Sequence, residues 1–198
     1  MVLLALAALV LGVAWGSFGP AGTPLDLISD NSDLILYALM FFVGISIGLN
    51  KTILQKIREY HIKVFIIPFG IVVGSVAAGV VCGLLTGVGA RNGAAIAGGM
   101  GWYSLAGVML TEMAGAQMGS VAFLSNLMRE MLSFFSIPWI SRHLNCYSCI
   151  APAGATSEDT TLSMMVRYTS EEVVVMSVFN GIICSAVVPV LIRLCYSL

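Results

Sequence analysis

Charge is what this sequence has least of. Of its 198 residues only 10% are charged, against 59% hydrophobic, where water-soluble domains carry about a quarter charged residues. Nine Lys and Arg against ten Asp and Glu leave a net charge of −1. That balance excludes nucleic-acid binding, which needs clustered cations to neutralise phosphates. Histidine is nearly absent, with two residues, and there are five cysteines. Cys146-Tyr-Ser-Cys149 is a CxxC with His143 three residues upstream, but no second pair completes a structural zinc site. The remaining cysteines lie mostly in apolar runs, where a free thiol behaves as a small hydrophobe. No metal and no cofactor is expected. No GxSxG elbow, HExxH helix, Walker lysine loop or strand-borne Rossmann pattern occurs. Gly101-Trp-Tyr-Ser104 offers a serine, yet His61 lies in a basic loop and His143 beyond the next long helix, so neither is placed to activate it. The chain does not read as an enzyme.

What is present is hydrophobic length. Seven segments, at about 1–18, 34–50, 64–86, 94–111, 119–140, 149–166 and 173–196, approach or reach the length that crosses a bilayer as a helix. They predict an all-α integral membrane protein forming a single transmembrane transporter domain over 1–198. The first segment lacks the basic start and small-residue cleavage site of a signal peptide and reads as a membrane helix. Lys51, Lys56, Arg58 and Lys63 form the only basic cluster, which places that loop in the cytoplasm. The acidic loop bearing Asp26, Asp30 and Asp33 then faces out, and if every later segment crosses, the C-terminus is also outside. Small residues at Gly44, Ser46 and Gly48, and at Gly70, Gly74 and Gly79, suit close helix packing. No internal repeat at a short period stands out.

Two segments are not ordinary helices. Gly93, Gly98, Gly99, Gly101 and Gly107 crowd the first, and each costs about 1 kcal/mol against Ala in a helix interior. The second carries Pro152, Gly154 and the run Thr156-Ser-Glu-Asp-Thr-Thr161, which removes a backbone donor and favours local unwinding. Both are predicted to be discontinuous, Gly/Pro-interrupted helices. Irregular backbone at membrane depth is tolerated where it is buried in protein or lines a wet cavity, and a pair of such segments points to a transporter's binding site.

Between them, near the centre of 119–140, sit Arg129 and Glu130. Each such charge costs roughly 2.5–3.5 kcal/mol at a helix centre, so this helix is expected to face a polar cavity. Asn126, Glu130 and Ser133 share one face at helical spacing; Ser125, Arg129 and Ser133 form an adjoining stripe. Ser177, Asn180, Gly181 and Cys184 give the last helix a small, partly polar seam, with Asn180 read as a helix–helix hydrogen-bonding residue. Glu130 and Asp159 are the candidate substrate- and proton-binding acids. Glu158 and Glu112 are further candidates, and Asn126, Tyr103, Ser104, Thr156 and Thr160 supply neighbouring polar groups. Hydroxyls and freed carbonyls around Asp159 suit an ammonium group. Arg129 is read as charge balance or a gate. The residues themselves reach a polar-cavity transporter for a cationic or proton-coupled solute.

Three motifs in order, Gly101-Trp-Tyr-Ser-Leu-Ala-Gly107, Gly119-Ser-Val-Ala-Phe-Leu-Ser-Asn126-Leu-Met-Arg129-Glu130 and Ala151-Pro-Ala-Gly-Ala-Thr-Ser-Glu-Asp-Thr-Thr161, resemble the LysO family of bacterial lysine exporters. The resemblance implies efflux of L-lysine, and of lysine analogues, across the bacterial inner membrane by a multi-pass protein; with Glu130 and Asp159 as carboxylates serving proton and ammonium in turn, the expected mechanism is secondary active, proton-coupled antiport. The resemblance also implies that essential intramembrane acids map onto Glu130 and Asp159. Glu158 stands at a variable position of the third motif and adds a negative charge. Family members are often longer at the N-terminus, so this chain looks like the C-terminal portion, completed as a homo-oligomer or by a small companion membrane protein. The rival expectation is an interaction or regulatory membrane subunit, or a half-transporter needing that companion.

Overall fold

The computed structural model describes residues 63–197 continuously and, before them, helical positions at 7, 10–12, 14, 15, 41 and 45. The chain divides into two compact units, Met1–Asn50 and Lys51–Leu198. The expected helices at 1–18 and 34–50, their acidic loop and most of the basic cluster lie outside the described residues, apart from those isolated positions. The described part of the second unit, residues 63–197, is mostly helical. In chain order it comprises α1 (Lys63–Leu85), α2 (Ala90–Ala97), α3 (Tyr103–Ala114), α4 (Ala116–His143), a 3-10 turn (Cys146–Cys149), α5 (Ile150–Ala153), a second 3-10 turn (Gly154–Glu158), α6 (Leu162–Tyr168) and α7 (Glu171–Ser197). No strand occurs among the described residues.

Among the described residues two helices, α1 and α7, are long and apolar enough to cross a membrane. Helix α4 has 28 residues, about 42 Å at 1.5 Å per residue, so its length also suffices; Arg129, Glu130 and Arg142 make it less apolar. On α1, Phe65, Ile66, Phe69, Val73, Val81 and Leu84 are exposed. A contiguous outward apolar face of that kind suits lipid rather than water.

The two discontinuous segments fold back instead of continuing across. Segment 90–114 begins beside the C-terminal end of α7, where the Arg91 guanidinium lies 4.7 Å over the Tyr196 ring. It runs inward past Gly98, against Leu191 of α7, and turns at Met100 and Gly101, both at positive φ (47° and 99°). It returns along the start of α4, where Gly119 packs against Gly107 and Thr111. Segment 146–168 does the same from the other end. Tyr147 donates to Glu172 at the start of α7 (2.6 Å), the chain turns at Gly154 (φ 58°), and Tyr168 returns to accept from Ser141 near the end of α4. Its base is held by Ile137, Cys149, Ala153 and Met165, packed with Leu162 and Val174. Both segments are therefore re-entrant hairpins. Sequence leaves open whether each segment crosses: glycine and proline permit a break, but contacts with α4 and α7 decide whether the chain goes on or turns round.

One residue offset carries Met100 onto Gly154, Ala114 onto Tyr168, Asn126 onto Asn180 and His143 onto Ser197. After α1, residues 90–197 are thus a hairpin plus a long helix, used twice. Because each copy contains one long helix, the second copy is upside down relative to the first, and the hairpins enter from opposite ends. Inverted repeats of this type place their site where the copies meet.

Candidate functional site

The hairpin tips touch: the Ala155 N–H donates to the Met100 carbonyl at 2.9 Å. Each tip is propped by an asparagine from the long helix of its own copy. Asn126 accepts from the Gly101 N–H (2.8 Å) and donates to the carbonyls of Ile96 and Ala122 (both 2.9 Å). Asn180 donates to the Gly154 carbonyl (2.8 Å) and to Ser157 Oγ (2.9 Å). Ser157 and Ser177 exchange a reciprocal pair, each hydroxyl donating to the other's carbonyl at 2.8 and 2.7 Å. Unwound backbone carries polar groups that must find partners when buried, and these side chains supply them.

Adjacent residues on a helix point about 100° apart, and Arg129 and Glu130 use that divergence. Arg129 reaches towards the second hairpin and α1, with Nε donating to the Pro152 carbonyl (3.2 Å), one terminal nitrogen to Ala151 (3.1 Å) and the other to Ser75 Oγ (3.0 Å). Glu130 turns instead into the protein, is 0% exposed, and neither carboxylate oxygen has a hydrogen-bond partner among the described residues. The two are not an ion pair. A buried polar atom without a partner is rare, and a carboxyl group with none is costly unless something else visits it.

Around Glu130 the structure gathers several of the expected residues. Asp159 and Thr160 from the second tip, and Tyr103 from the first, lie within electrostatic reach of it. The Thr160 hydroxyl donates to Asp159 Oδ1 at 3.2 Å, and the Thr160 N–H donates to the same oxygen, so Thr160 lies beside Glu130 with its hydroxyl proton committed to Asp159. Asp159 itself is exposed. Tyr103 is fixed edge-on against Phe123, ring centres 5.3 Å apart. Ser104 sits half-buried on the first turn of α3.

Other candidates fall elsewhere. Asn126 spends its amide on the first tip, as above. Thr156 donates to Ala153 (2.9 Å) and, through its carbonyl, accepts from Thr161 (2.8 Å), which shapes the second tip. Glu158 accepts from Ser185 of α7 at 3.0 Å and packs on Gly181. Glu112 is exposed on the last turn of α3, about 13 Å along the axis from Tyr103. In the CxxC, Cys149 is buried with its thiol against the Ile137 carbonyl, while Cys146 is half-buried. Ser75, Ser157 and Ser185 were not singled out by sequence, since nothing local distinguishes them from other small polar residues. A groove of about 880 Å³ also runs between α1, α2 and α4, walled by Gly70, Gly74, Ser125 and Pro152, with Arg129 as its one charged residue.

A family model for the lysine exporter LysO matches residues 6–196. The chain belongs to the LysO family. That is a family of exporters rather than enzymes. Among LysO relatives, the lysine exporter LysO of Escherichia coli (strain K12) is 33% identical over 183 residues, 92% of this chain and 60% of that protein. The putative lysine exporter of Haemophilus influenzae (strain ATCC 51907 / DSM 11121 / KW20 / Rd) is 32% identical over 163 residues, 80% of each chain. The chain therefore spans about 60% of the length of the E. coli LysO protein. No solved structure matches this LysO-family chain.

Proposed function

We propose that this chain exports L-lysine, and lysine analogues, across the bacterial inner membrane as a proton-coupled secondary antiporter. Glu130 and Asp159 serve the proton and the substrate ammonium in turn. The observation that carries the reading is Glu130: a fully buried carboxyl whose two oxygens have no hydrogen-bond partner among the described residues, set where two re-entrant tips meet and within electrostatic reach of a second acid. A lysine ammonium brings three donors, enough to bridge Glu130, Asp159 and a freed carbonyl or hydroxyl. When the cation leaves, the site loses its counter-charge, and a proton that takes the cation's place completes the exchange an antiporter needs. Tyr103, Ser104 and Thr160 line the approach. Arg129 offsets charge on the far side of α4. Asn126 and Thr156 act by holding the tips in register.

The re-entrant geometry also bears on orientation. With the Lys51–Lys63 cluster cytoplasmic, α1 runs outward, α4 inward and α7 outward. Arg142 and Arg167 then join the inner side, and Arg91 and Arg193 stay outside. This distribution agrees with the cytoplasmic excess of Lys and Arg better than seven crossings do.

Reconstituted protein loaded with labelled lysine and facing a proton gradient tests the proposal. Lysine efflux driven by inward proton movement is expected, and a gradient that moves no lysine contradicts it. The 60% coverage of the E. coli protein favours a second reading, that a companion membrane chain or a second copy completes the transporter. Efflux that begins only when such a partner is co-reconstituted supports that version, and unaided efflux from monomer-loaded vesicles excludes it.

A further inference from the structure

The position of the Arg129 head group has a meaning beyond charge balance. Helix α5 ends at Ala153, and its last carbonyls are the ones a helix cannot satisfy within itself. In an uninterrupted helix the Ala151 carbonyl would accept from the residue-155 N–H, but the Ala155 N–H is diverted to Met100 of the other hairpin. The same Ala155 N–H is the one that i+3 bonding of a 3-10 turn would direct to the Pro152 carbonyl, so its diversion withdraws a donor from both carbonyls. These two orphan carbonyls converge with the Ser75 hydroxyl on one spot, and the Arg129 guanidinium occupies it with contacts of 3.0–3.2 Å. Two free carbonyls at the C-terminal, partially negative end of a half-helix, plus one hydroxyl, are the oxygen set that a small monovalent cation uses in a broken membrane helix. On the side of the second tip the guanidinium lies close to the chain, since a side chain at Gly154 would meet it at 3.0 Å.

We propose that Arg129 is a tethered cation, filling a monovalent-cation site made by the Ala151 and Pro152 carbonyls and the Ser75 hydroxyl. The chain thus supplies for itself the ion that would otherwise have to bind there, and holds the second hairpin tip against α1 and α4 without a free alkali cation. Arg129 is a positioning residue in this scheme and need not touch substrate. The inference does not depend on lysine being the cargo.

The test is thermal unfolding of the purified full-length chain in detergent, in choline chloride, sodium chloride or ethylguanidinium chloride at equal ionic strength. Arg129→Ala deletes a group that ethylguanidinium replaces. Wild type is expected to melt at one temperature in all three salts. Arg129→Ala is expected to melt several degrees lower in choline and to regain much of that loss with ethylguanidinium or sodium, because a ligand that binds only the folded state raises Tm. No recovery with either cation overturns the proposal, as does a wild-type protein that sodium stabilises over choline. If Arg129→Ala cannot be purified, Arg129→Lys and Arg129→Met decide the matter. Lys, which keeps the charge, should retain most of the stability that Met loses, and equal melting or equal failure of the two refutes the tethered-cation role.

Discussion

Replacing Asn126 by Ala tests whether the first hairpin tip depends on its helix prop. The amide accepts from the buried Gly101 N–H and donates to the Ile96 and Ala122 carbonyls. Ile96 keeps a bond from the Gly99 N–H at 3.2 Å, and Ala122 lies within α4, so both carbonyls retain alternatives. Gly101 has no other acceptor among the described residues. An orphaned buried donor costs about 1–3 kcal/mol, and the lost Ile96 bond with the small void adds roughly another 1 kcal/mol. The sum is about 2–4 kcal/mol. For a domain of this size each kcal/mol moves Tm by roughly 2–4 °C, so unfolding in detergent should begin about 5–15 °C lower. Ser120→Ala is the control, since that exposed hydroxyl only bonds back to Ala116 within α4, and a change within about 0.5 kcal/mol is expected. Asn126→Ala melting with Ser120→Ala would refute the propping argument and, with it, the idea that this asparagine fixes Tyr103 beside Glu130.

Other substitutions probe separate contacts. Asn180→Ala should cost as much as Asn126→Ala, because it abandons the Gly154 carbonyl and Ser157; a loss under about 0.5 kcal/mol contradicts the equivalence of the two copies. Gly181→Ala places a Cβ 2.5 Å from Glu158 Cβ and 2.6 Å from its backbone nitrogen, so the second tip must move off α7; a melting temperature and transport rate equal to wild type would show that it need not. Glu158→Gln, whose side chain is already engaged with Ser185, should keep far more transport than Asp159→Asn, as measured by labelled-lysine counterflow. In the folded protein an apolar maleimide should label exposed Cys82 well ahead of buried Cys149 and Cys184, and comparable labelling by mass spectrometry would argue against the packing of α4 and α7 around the second hairpin.

Much of the site was legible in sequence because it depends on local chemistry. Charge in the middle of an apolar helix marks Glu130, and Gly or Pro clusters mark both breaks. The third motif brings Asp159 and Thr160 to the second break. Helical spacing also puts Asn126, Glu130 and Ser133 on one face, and all three are buried. What sequence hid is long-range. A break that turns back and a break that carries on have the same residues, so the hairpins emerge only from contacts such as Arg91 with Tyr196 and Ser141 with Tyr168. The repeat escaped notice because its copies keep an offset and few identities, with Asn126 and Asn180 the pair that props the two tips. At the same offset Glu130 falls on Cys184, so the acid is carried by one copy only. Adjacency in sequence invites an Arg129–Glu130 pair, whereas the helix directs the first to orphan carbonyls and the second to a space with no partner.

Transport by Glu130→Gln bears most directly on the central claim. The amide keeps the shape of the side chain and removes its charge and its proton exchange. In proteoliposomes containing equal amounts of folded protein, labelled-lysine counterflow and proton-driven efflux should both fall to the level of protein-free vesicles for Glu130→Gln, while its melting temperature stays near or above that of the wild type. Lysine movement at the wild-type rate through Glu130→Gln would contradict the account, because the buried, unpartnered carboxyl would then have no part in carrying the substrate.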